Sequence, residues 1–459
     1  MTRIAMPGRT TVEDPLAVFM APPAGETAEE TESRLYAEAE AKRVSDEIDE
    51  QLRQERLTER RTRALRILLL GQSESGKSTT LKNFQLMYTP KAFRAERITW
   101  RAVVQLNLVK SVHQIVDALT LAEEGASGTE GQELPTPSPQ LRALKLRVLP
   151  LLQVEEQLMK RLAAPGETDA VRRGAAPELA VSSTWRSTLS RLLGATADLE
   201  GEPSIDFDDP TDPAHVLNLC RDDVQALWAD QTVRVVLQRL GIRLEDQSGF
   251  FLNDLDRLTE KRFIPSDDDV LRCRLKTLGV SEFRFQLETG SGAGQSWRIY
   301  DVGGARSQRL FWAPYFDLVD AIIFLAPISC FDQTLAEDKA VNRLEDSVLL
   351  WKDVCENKLL AAVQIVLFLN KIDILKDKLA AGIQFSRYVT TYGNRPNDYE
   401  NTSSYLKRKF GSILKEKSAV PRQFYCHFTA VTDMAATQTL LARVGDLVVR
   451  ANLKDSNLI

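Results

Sequence analysis

Three short runs in this 459-residue chain carry residue types whose spacing points to phosphate and nucleobase chemistry. The first, Gly71-Gln-Ser-Glu-Ser-Gly76-Lys77-Ser78, fits the pattern GxxxxGK[ST]. Backbone N–H groups of such a loop wrap phosphates, and the helix that follows adds the partial positive charge of its N-terminus. Lys77 is placed to reach the outer phosphates and the Ser78 hydroxyl to bind Mg²⁺. The second run is Asp301-Val-Gly-Gly304. An acidic residue at a strand end binds Mg²⁺ directly or through water, and the glycines let backbone approach a γ-phosphate. The third is Asn370-Lys371-Ile-Asp373, whose carboxylate can accept hydrogen bonds from the ring N–H and exocyclic amine of guanine. Adenine offers no such donor pair. Alone, the second and third runs are also what ordinary turns after strands look like. In this order behind a phosphate loop, they describe a site for GTP or GDP with Mg²⁺.

Loops of this kind need strands to hold them. Arg66-Ile-Leu-Leu-Leu-Gly71 is a short apolar run that reads as a buried parallel strand. Similar runs recur at Trp297–Asp301, Ala321–Ala326, Ile365–Leu369 and Phe424–Phe428, with helical segments after Asp332 and at Val341–Cys355. The alternation predicts an α/β fold with a doubly wound sheet, in residues 65–89 and 263–459. Between these parts, residues 90–262 read as helices, among them Ala102–Leu119, Pro139–Leu162 and Asp222–Leu240. They form an inserted all-helical domain. Within it, residues of about 120–205 are a variable insertion of one or two helices between Ala-, Pro- and Gly-rich linkers such as Ala163-Ala-Pro-Gly.

Residues 1–26, rich in Pro, Ala, Gly and Thr, read as disordered. Residues 27–64 are charged helix formers in which Val44, Ile48 and Leu52 make a narrow apolar stripe. Periodicity alone leaves that helix as either a solvated extension or a docking element. A net charge of −5 argues against nucleic acid as a partner. No apolar run nears the ~20 residues of a membrane span, and no secretory signal opens the chain. The scattered Cys220, Cys273, Cys330, Cys355 and Cys426 read as reduced thiols of a cytoplasmic protein, and three histidines form no metal cluster.

One further segment sharpens the reading. Asp269-Val-Leu-Arg-Cys-Arg274-Leu-Lys-Thr277-Leu-Gly279 resembles the first switch segment of the α subunits of heterotrimeric G proteins. The resemblance covers residues 27–119 and 205–459 and accounts for a helical insertion in a P-loop GTPase-like sheet. It includes Phe250-Phe-Leu-Asn-Asp-Leu-Asp-Arg, Thr429-Ala-Val-Thr432 and the tail segment Asn452-Leu-Lys-Asp. It implies that Arg274, with Lys77, is catalytic, and that Thr277 joins Ser78 and Asp301 around Mg²⁺. It also implies nucleotide contacts from Glu74, Ser75, Gly76, Lys77, Ser78 and Thr79 in the loop. Asp246, Leu271, Arg272, Arg274, Thr277 and Gly304 follow, with Asn370, Lys371, Asp373 and Val431 at the base. Its implied partners are a βγ dimer docked on the 27–64 helix, a G protein-coupled receptor and a downstream effector. Its implied place is the cytoplasm, or the cytoplasmic face of the plasma membrane.

Four departures from the family pattern stand out. Ala305 occupies the place of the glutamine that orients the attacking water, which predicts slow hydrolysis and a long-lived GTP state. Met1-Thr2 lacks the glycine for myristoylation and the N-terminal segment has no cysteine, so membrane association would run through partners only. Leu310 and Phe311 stand where the family usually has lysines, implying either an altered interface or tighter packing. Ser73 replaces a loop glycine and Val431 a small alanine, either of which could lower nucleotide affinity. Two readings result: a slow GTPase relaying a receptor signal, or a hydrolysis-deficient, GTP-bound scaffold. A P-loop ATPase is opposed by the Asn370–Asp373 run and by Arg274.

Overall fold

The computed structural model describes residues 27, 35–37, 39–50, 53, 64–128, 131–162, 180–181, 207–277, 280–286, 296–335 and 337–455. Expectations for residues 1–26, for the linkers at 163–179 and 182–206, and for Leu52 lie outside these. The chain divides into two compact units, residues 1–63 and 64–459. In the first unit, residues 35–37, 39–50 and 53 are helical, with Val44 and Ile48 exposed.

The second unit is built on a six-stranded sheet. Its strands are β1 (Leu65–Leu70), β4 (Val280–Gln286), β5 (Ser296–Val302), β6 (Ala321–Pro327), β7 (Gln364–Asn370) and β8 (Tyr425–Thr429), in the order β4-β5-β1-β6-β7-β8. The strands β5, β1, β6, β7 and β8 run parallel, and β4 is an antiparallel edge on β5. The sequence reading missed β4. Its residues, Val-Ser-Glu-Phe-Arg-Phe-Gln, alternate in the way of a half-solvated edge strand, and charges there guard against further pairing. A separate two-stranded ladder pairs β2 (Ala180–Val181) with β3 (Lys276–Thr277).

Alternation along the strands builds the core on both faces. On β6, Ala321, Ile323 and Leu325 join one cluster with Leu81 and Phe84. Ile322, Phe324 and Ala326 point the other way, into a cluster with Trp351 and Phe410. Each fully buried Ile, Leu or Phe of this kind is worth about 1.5–3 kcal/mol of transfer free energy. β6 is therefore apolar throughout and β1 and β7 nearly so, which is why they were readable. The helices on these faces are α1 (Lys77–Tyr88), α8 (Arg343–Glu356), α9 (Ile372–Ala380), α10 (Tyr399–Lys417) and α11 (Met434–Asp455).

A third cluster is helical. It gathers α2 (Arg101–Glu123), α3 (Pro139–Val148), α4 (Pro150–Leu162), α5 (Arg221–Ala229), α6 (Gln231–Arg239) and α7 (Asp267–Arg272). Two helices expected as single pieces are broken. Pro150 cannot continue a helix but opens one well, so Pro139–Leu162 divides at Leu149. Asp230 divides Asp222–Leu240 because its carboxylate caps α6, accepting from the Thr232 and Val233 N–H groups at 2.7 and 3.4 Å. The helix expected directly after Asp332 is instead a turn closed by a Thr334–Asn342 bridge. Among the described residues no helix is long and apolar enough to cross a membrane.

Candidate functional site

In a parallel sheet all strands end at the same edge, so the loops following β1, β5, β7 and β8 converge there. Residues 71–76 leave β1 in a conformation that two glycines permit. A Cβ on Gly71 (φ +144°) would lie 2.3 Å from the Leu325 carbonyl oxygen, and one on Gly76 (φ +102°) 2.4 Å from Asn370 Nδ2. Glu74 also sits at positive φ, +60°, a strained position for a non-glycine residue. The loop runs into α1, where Lys77 Nζ donates to the Gly71 and Gln72 carbonyls at 2.9 Å each. Burial pushes this ammonium down to about 8. Asp301 opposes that shift and Arg309 adds to it. Lys77 thus sits beneath the loop, its buried ammonium shared between two loop carbonyls.

Ser78 Oγ donates to Asp301 Oδ2 at 2.6 Å, which brings the ends of α1 and β5 together. A hydroxyl and a carboxylate side by side are the hard oxygen donors that Mg²⁺ prefers. Among the described residues no group of three His, Cys, Asp or Glu side chains could hold a metal ion, so here phosphate and water oxygens would complete the shell. For Thr277, the third expected ligand, only the backbone is described, paired with Val181. Gly304 lies flat on the loop. A Cβ there would come 2.4 Å from the Gln72 carbonyl carbon and 2.5 Å from the Ser73 nitrogen. Ala305, next to it, is buried.

Arg274 reaches the loop from the other side, its Nη2 2.7 Å from Glu74 Oε1. Arg343 of α8 holds the second oxygen, Oε2, at 3.0 Å and donates to the Ser73 carbonyl at 2.9 Å. Burial alone would raise the Glu74 carboxyl. Arg343, Arg274 and Lys371 outweigh it and hold the group at about 2. The Arg274 backbone is clamped by Asn107 of α2, whose Oδ1 accepts from its N–H at 2.7 Å and whose Nδ2 donates to its carbonyl at 2.9 Å. Leu271 and Arg272 do not turn their side chains to the loop. Leu271 is buried in the helical cluster, and Arg272 pairs with Asp254, Asp268 and Asp269. From α1, Thr79 Oγ1 donates to the Leu271 carbonyl at 3.5 Å, and Lys82 Nζ donates to the Val270 and Cys273 carbonyls at 2.7 and 3.1 Å.

At the far end, Asn370 ties three loops into one base. Its Nδ2 donates to the Ser75 carbonyl at 2.7 Å, while Oδ1 accepts from Thr429 Oγ1 at 3.0 Å and Val431 N–H at 3.2 Å. Lys371 follows at φ +64°, its ammonium lowered by burial against the pull of Glu74. Asp373 opens α9 with its side chain exposed. Val431 is buried, its Cγ2 2.9 Å from where a Gly76 Cβ would stand. Asp246, from the helical part, pairs with buried Lys378 of α9 at 3.3 Å. Lys378 also meets Asp332 at 2.6 Å and the Ser329 carbonyl at 3.0 Å.

Sequence reasoning did not find Asn107, Arg343 or Lys378. Asn107 had a signal, a polar residue inside the apolar run Val103-Val-Gln-Leu-Asn-Leu-Val. Arg343 and Lys378 had none, since only the fold brings them to the site. Leu310 and Phe311, for which tighter packing was one expectation, are 83% and 58% exposed, so that alternative is excluded. On this segment Arg306 and Arg309 are pinned to Asp346 of α8, Arg309 at 2.5 and 3.1 Å.

Comparison with known proteins points one way. A family model described as G-protein alpha subunit matches residues 42–448. The guanine nucleotide-binding protein alpha-4 subunit of Mycosarcoma maydis is 30% identical, with 97% of this chain and 96% of that protein covered. The alpha-2 subunit of Neurospora crassa is 29% identical over 91% and 96%, and an alpha subunit of Pyricularia oryzae 30% over 92% and 98%.

Proposed function

The chain belongs to the family of G-protein α subunits, guanine nucleotide-binding proteins of signal transduction, and on that premise we propose that it is a slow GTPase switch. The observation that carries the reading is the Asn370 clip, which joins the phosphate loop to the base of a nucleotide site. Exposed Asp373, one turn on, is the guanine-selecting group.

In this reading the loop N–H groups and Lys77 hold the β- and γ-phosphates, Lys77 leaving the Gly71 and Gln72 carbonyls to do so. Ser78 and Asp301, with Thr277, would hold Mg²⁺, whose charge would offset that of the phosphates. Arg274 exchanges Glu74 for the transferring phosphoryl group. A built-in arginine in this role is the family's known device. Glu74, anchored by Arg343, parks Arg274 beside the loop between turnovers. Asn107 keeps its backbone from drifting while the side chain moves. Gly304 against Ser73 is where a γ-phosphate would set the second switch segment.

Ala305 favours the second reading, a persistent GTP state, because a methyl group cannot orient water. The expected partners are a βγ dimer on the N-terminal helix, a receptor and an effector. The exposed Leu310 and Phe311 make the second switch a more apolar partner-facing surface than two lysines would.

Limited trypsin digestion tests the switch. Arg306 and Arg309 are cut slowly with a non-hydrolysable GTP analogue and Mg²⁺, and at least ~10-fold faster with GDP, if the γ-phosphate orders this segment. Equal cutting in both states contradicts the proposal.

A further inference from the structure

Arg274 stands just where a helix stops, and the hydrogen bonds at that stop lead back to the phosphate loop. α7 ends at Arg272, with the Cys273 N–H still donating to the Asp269 carbonyl at 3.0 Å. One more helical bond would run from the Arg274 N–H to the Val270 carbonyl. That pair is instead divided between two other helices. Asn107 of α2 accepts from the N–H at 2.7 Å, and Lys82 of α1 donates from Nζ to the Val270 carbonyl at 2.7 Å. The same Nζ donates to the Cys273 carbonyl at 3.1 Å. The Cys273–Arg274 peptide is thus held by its oxygen from α1 and by its nitrogen from α2. The last carbonyls of a helix have no intrahelical partner, so a buried helix end needs donors of this kind.

Lys82 is 5% exposed, and its Nζ also lies 4.3 Å from the centre of the buried Trp100 ring. Trp100 directly precedes α2, where the chain enters the helical part, and Cys273 and Arg274 follow α7, where it returns toward the sheet. One ammonium therefore meets both crossings. α1 begins at the loop with Lys77 and Ser78, and Lys82 stands about 7.5 Å further along the same helix. The main chain at Arg274 is in this way registered against the helix that carries the phosphate-facing side chains.

We propose that Lys82 is a positioning residue for Arg274, fixing the peptide from which the arginine reaches the transferring phosphoryl group. The inference rests on the GTPase reading above. Lys82 acts on main-chain oxygens, and Arg274 acts on the phosphate. Its loss therefore slows the chemical step more than it weakens nucleotide binding. Misplacing a catalytic group by about 1 Å can cost on the order of 100-fold in rate.

The test is single-turnover hydrolysis of Mg·GTP by the full chain, with GTP affinity and melting temperature measured on each variant. Lys82→Met keeps the apolar stem and removes the donors. It is expected to slow phosphate release about 10-fold while GTP affinity stays within about threefold. Its melting temperature is expected to fall, because two buried carbonyls lose their donor. Lys82→Gln keeps N–H donors on a shorter side chain, is expected to slow release by a few-fold, and carries the test where Lys82→Met does not fold. Lys82→Arg keeps donors for both carbonyls and a charge over Trp100, and is expected to stay within about threefold of wild type. Release at the wild-type rate from Lys82→Met and Lys82→Gln overturns the inference. So does GTP affinity that falls in step with the rate, or equal slowing in Lys82→Arg. Wild-type chain that binds GTP yet releases no phosphate above buffer overturns it too. Wild-type chain that binds no GTP brings down the GTPase reading itself, and this inference with it.

Discussion

Glu74 is the residue on which the resting site turns. It is held at about 2 against burial by Arg343, Arg274 and Lys371. A carboxyl whose folded pKa is depressed contributes stability that is complete above its unfolded value and is lost as pH falls toward the folded one. For Glu74 that window runs from about 4.5 down to about 2. The full shift is worth on the order of 3 kcal/mol. Urea unfolding at pH 5 and pH 3 is therefore expected to show a smaller loss of stability for Glu74→Gln than for wild type. Equal losses would show that the pairing adds nothing. Asn370 is the second such residue. Asn370→Ala leaves the Ser75 carbonyl and the Val431 N–H without their buried partner, and should cost about 2–4 kcal/mol in the same assay. The Asn370–Asp373 run was legible because its spacing is fixed by one turn of chain. Its use as a clip was not, because Ser75 and Val431 reach it only through the fold.

At the scale of elements, the apolar strands announced themselves and the edge strand did not. Strands β1, β6 and β7 are buried on both faces and so are apolar at nearly every position, with Arg66, Gln364 and Asn370 the exceptions, a signal read without any partner in view. β4 keeps one face in water, and its short alternation is no stronger than that of many loops. Helix breaks at Leu149 and Asp230 depend on a proline and a cap that a periodicity search passes over. Two contacts between elements carry predictions. Asn107 of α2 holds the Arg274 backbone through two hydrogen bonds. Asn107→Ala is expected to slow single-turnover hydrolysis about 10-fold while GTP binding changes little. A proportional loss of binding would make Asn107 a folding contact only. Lys378 of α9 joins Asp332 to Asp246. Lys378→Met should speed GDP release several-fold, read with a fluorescent nucleotide, because one tie between α9 and the helical part is lost. An unchanged rate would show that this ion pair does not limit release.

For the whole molecule, family membership brings a nucleotide cycle, and this chain's own residues tilt it. Ala305 removes the usual amide, while Lys77, Ser78, Asp301, Arg274 and Asn370 stand together at the ends of the parallel strands. The expected balance is firm nucleotide binding with slow turnover. The helix at residues 39–50 exposes Val44 and Ile48, in keeping with a docking face. Deleting residues 1–50 should abolish capture of a βγ dimer from the same organism, and undiminished capture would end that assignment. The most direct test of the central claim is equilibrium binding of GTP to the purified chain with Mg²⁺, challenged by a thousandfold excess of ATP. The account predicts Mg²⁺-dependent binding that ATP does not displace and that Asp373→Ala weakens about 100-fold or more. Displacement by ATP, or binding indifferent to Asp373, would contradict it.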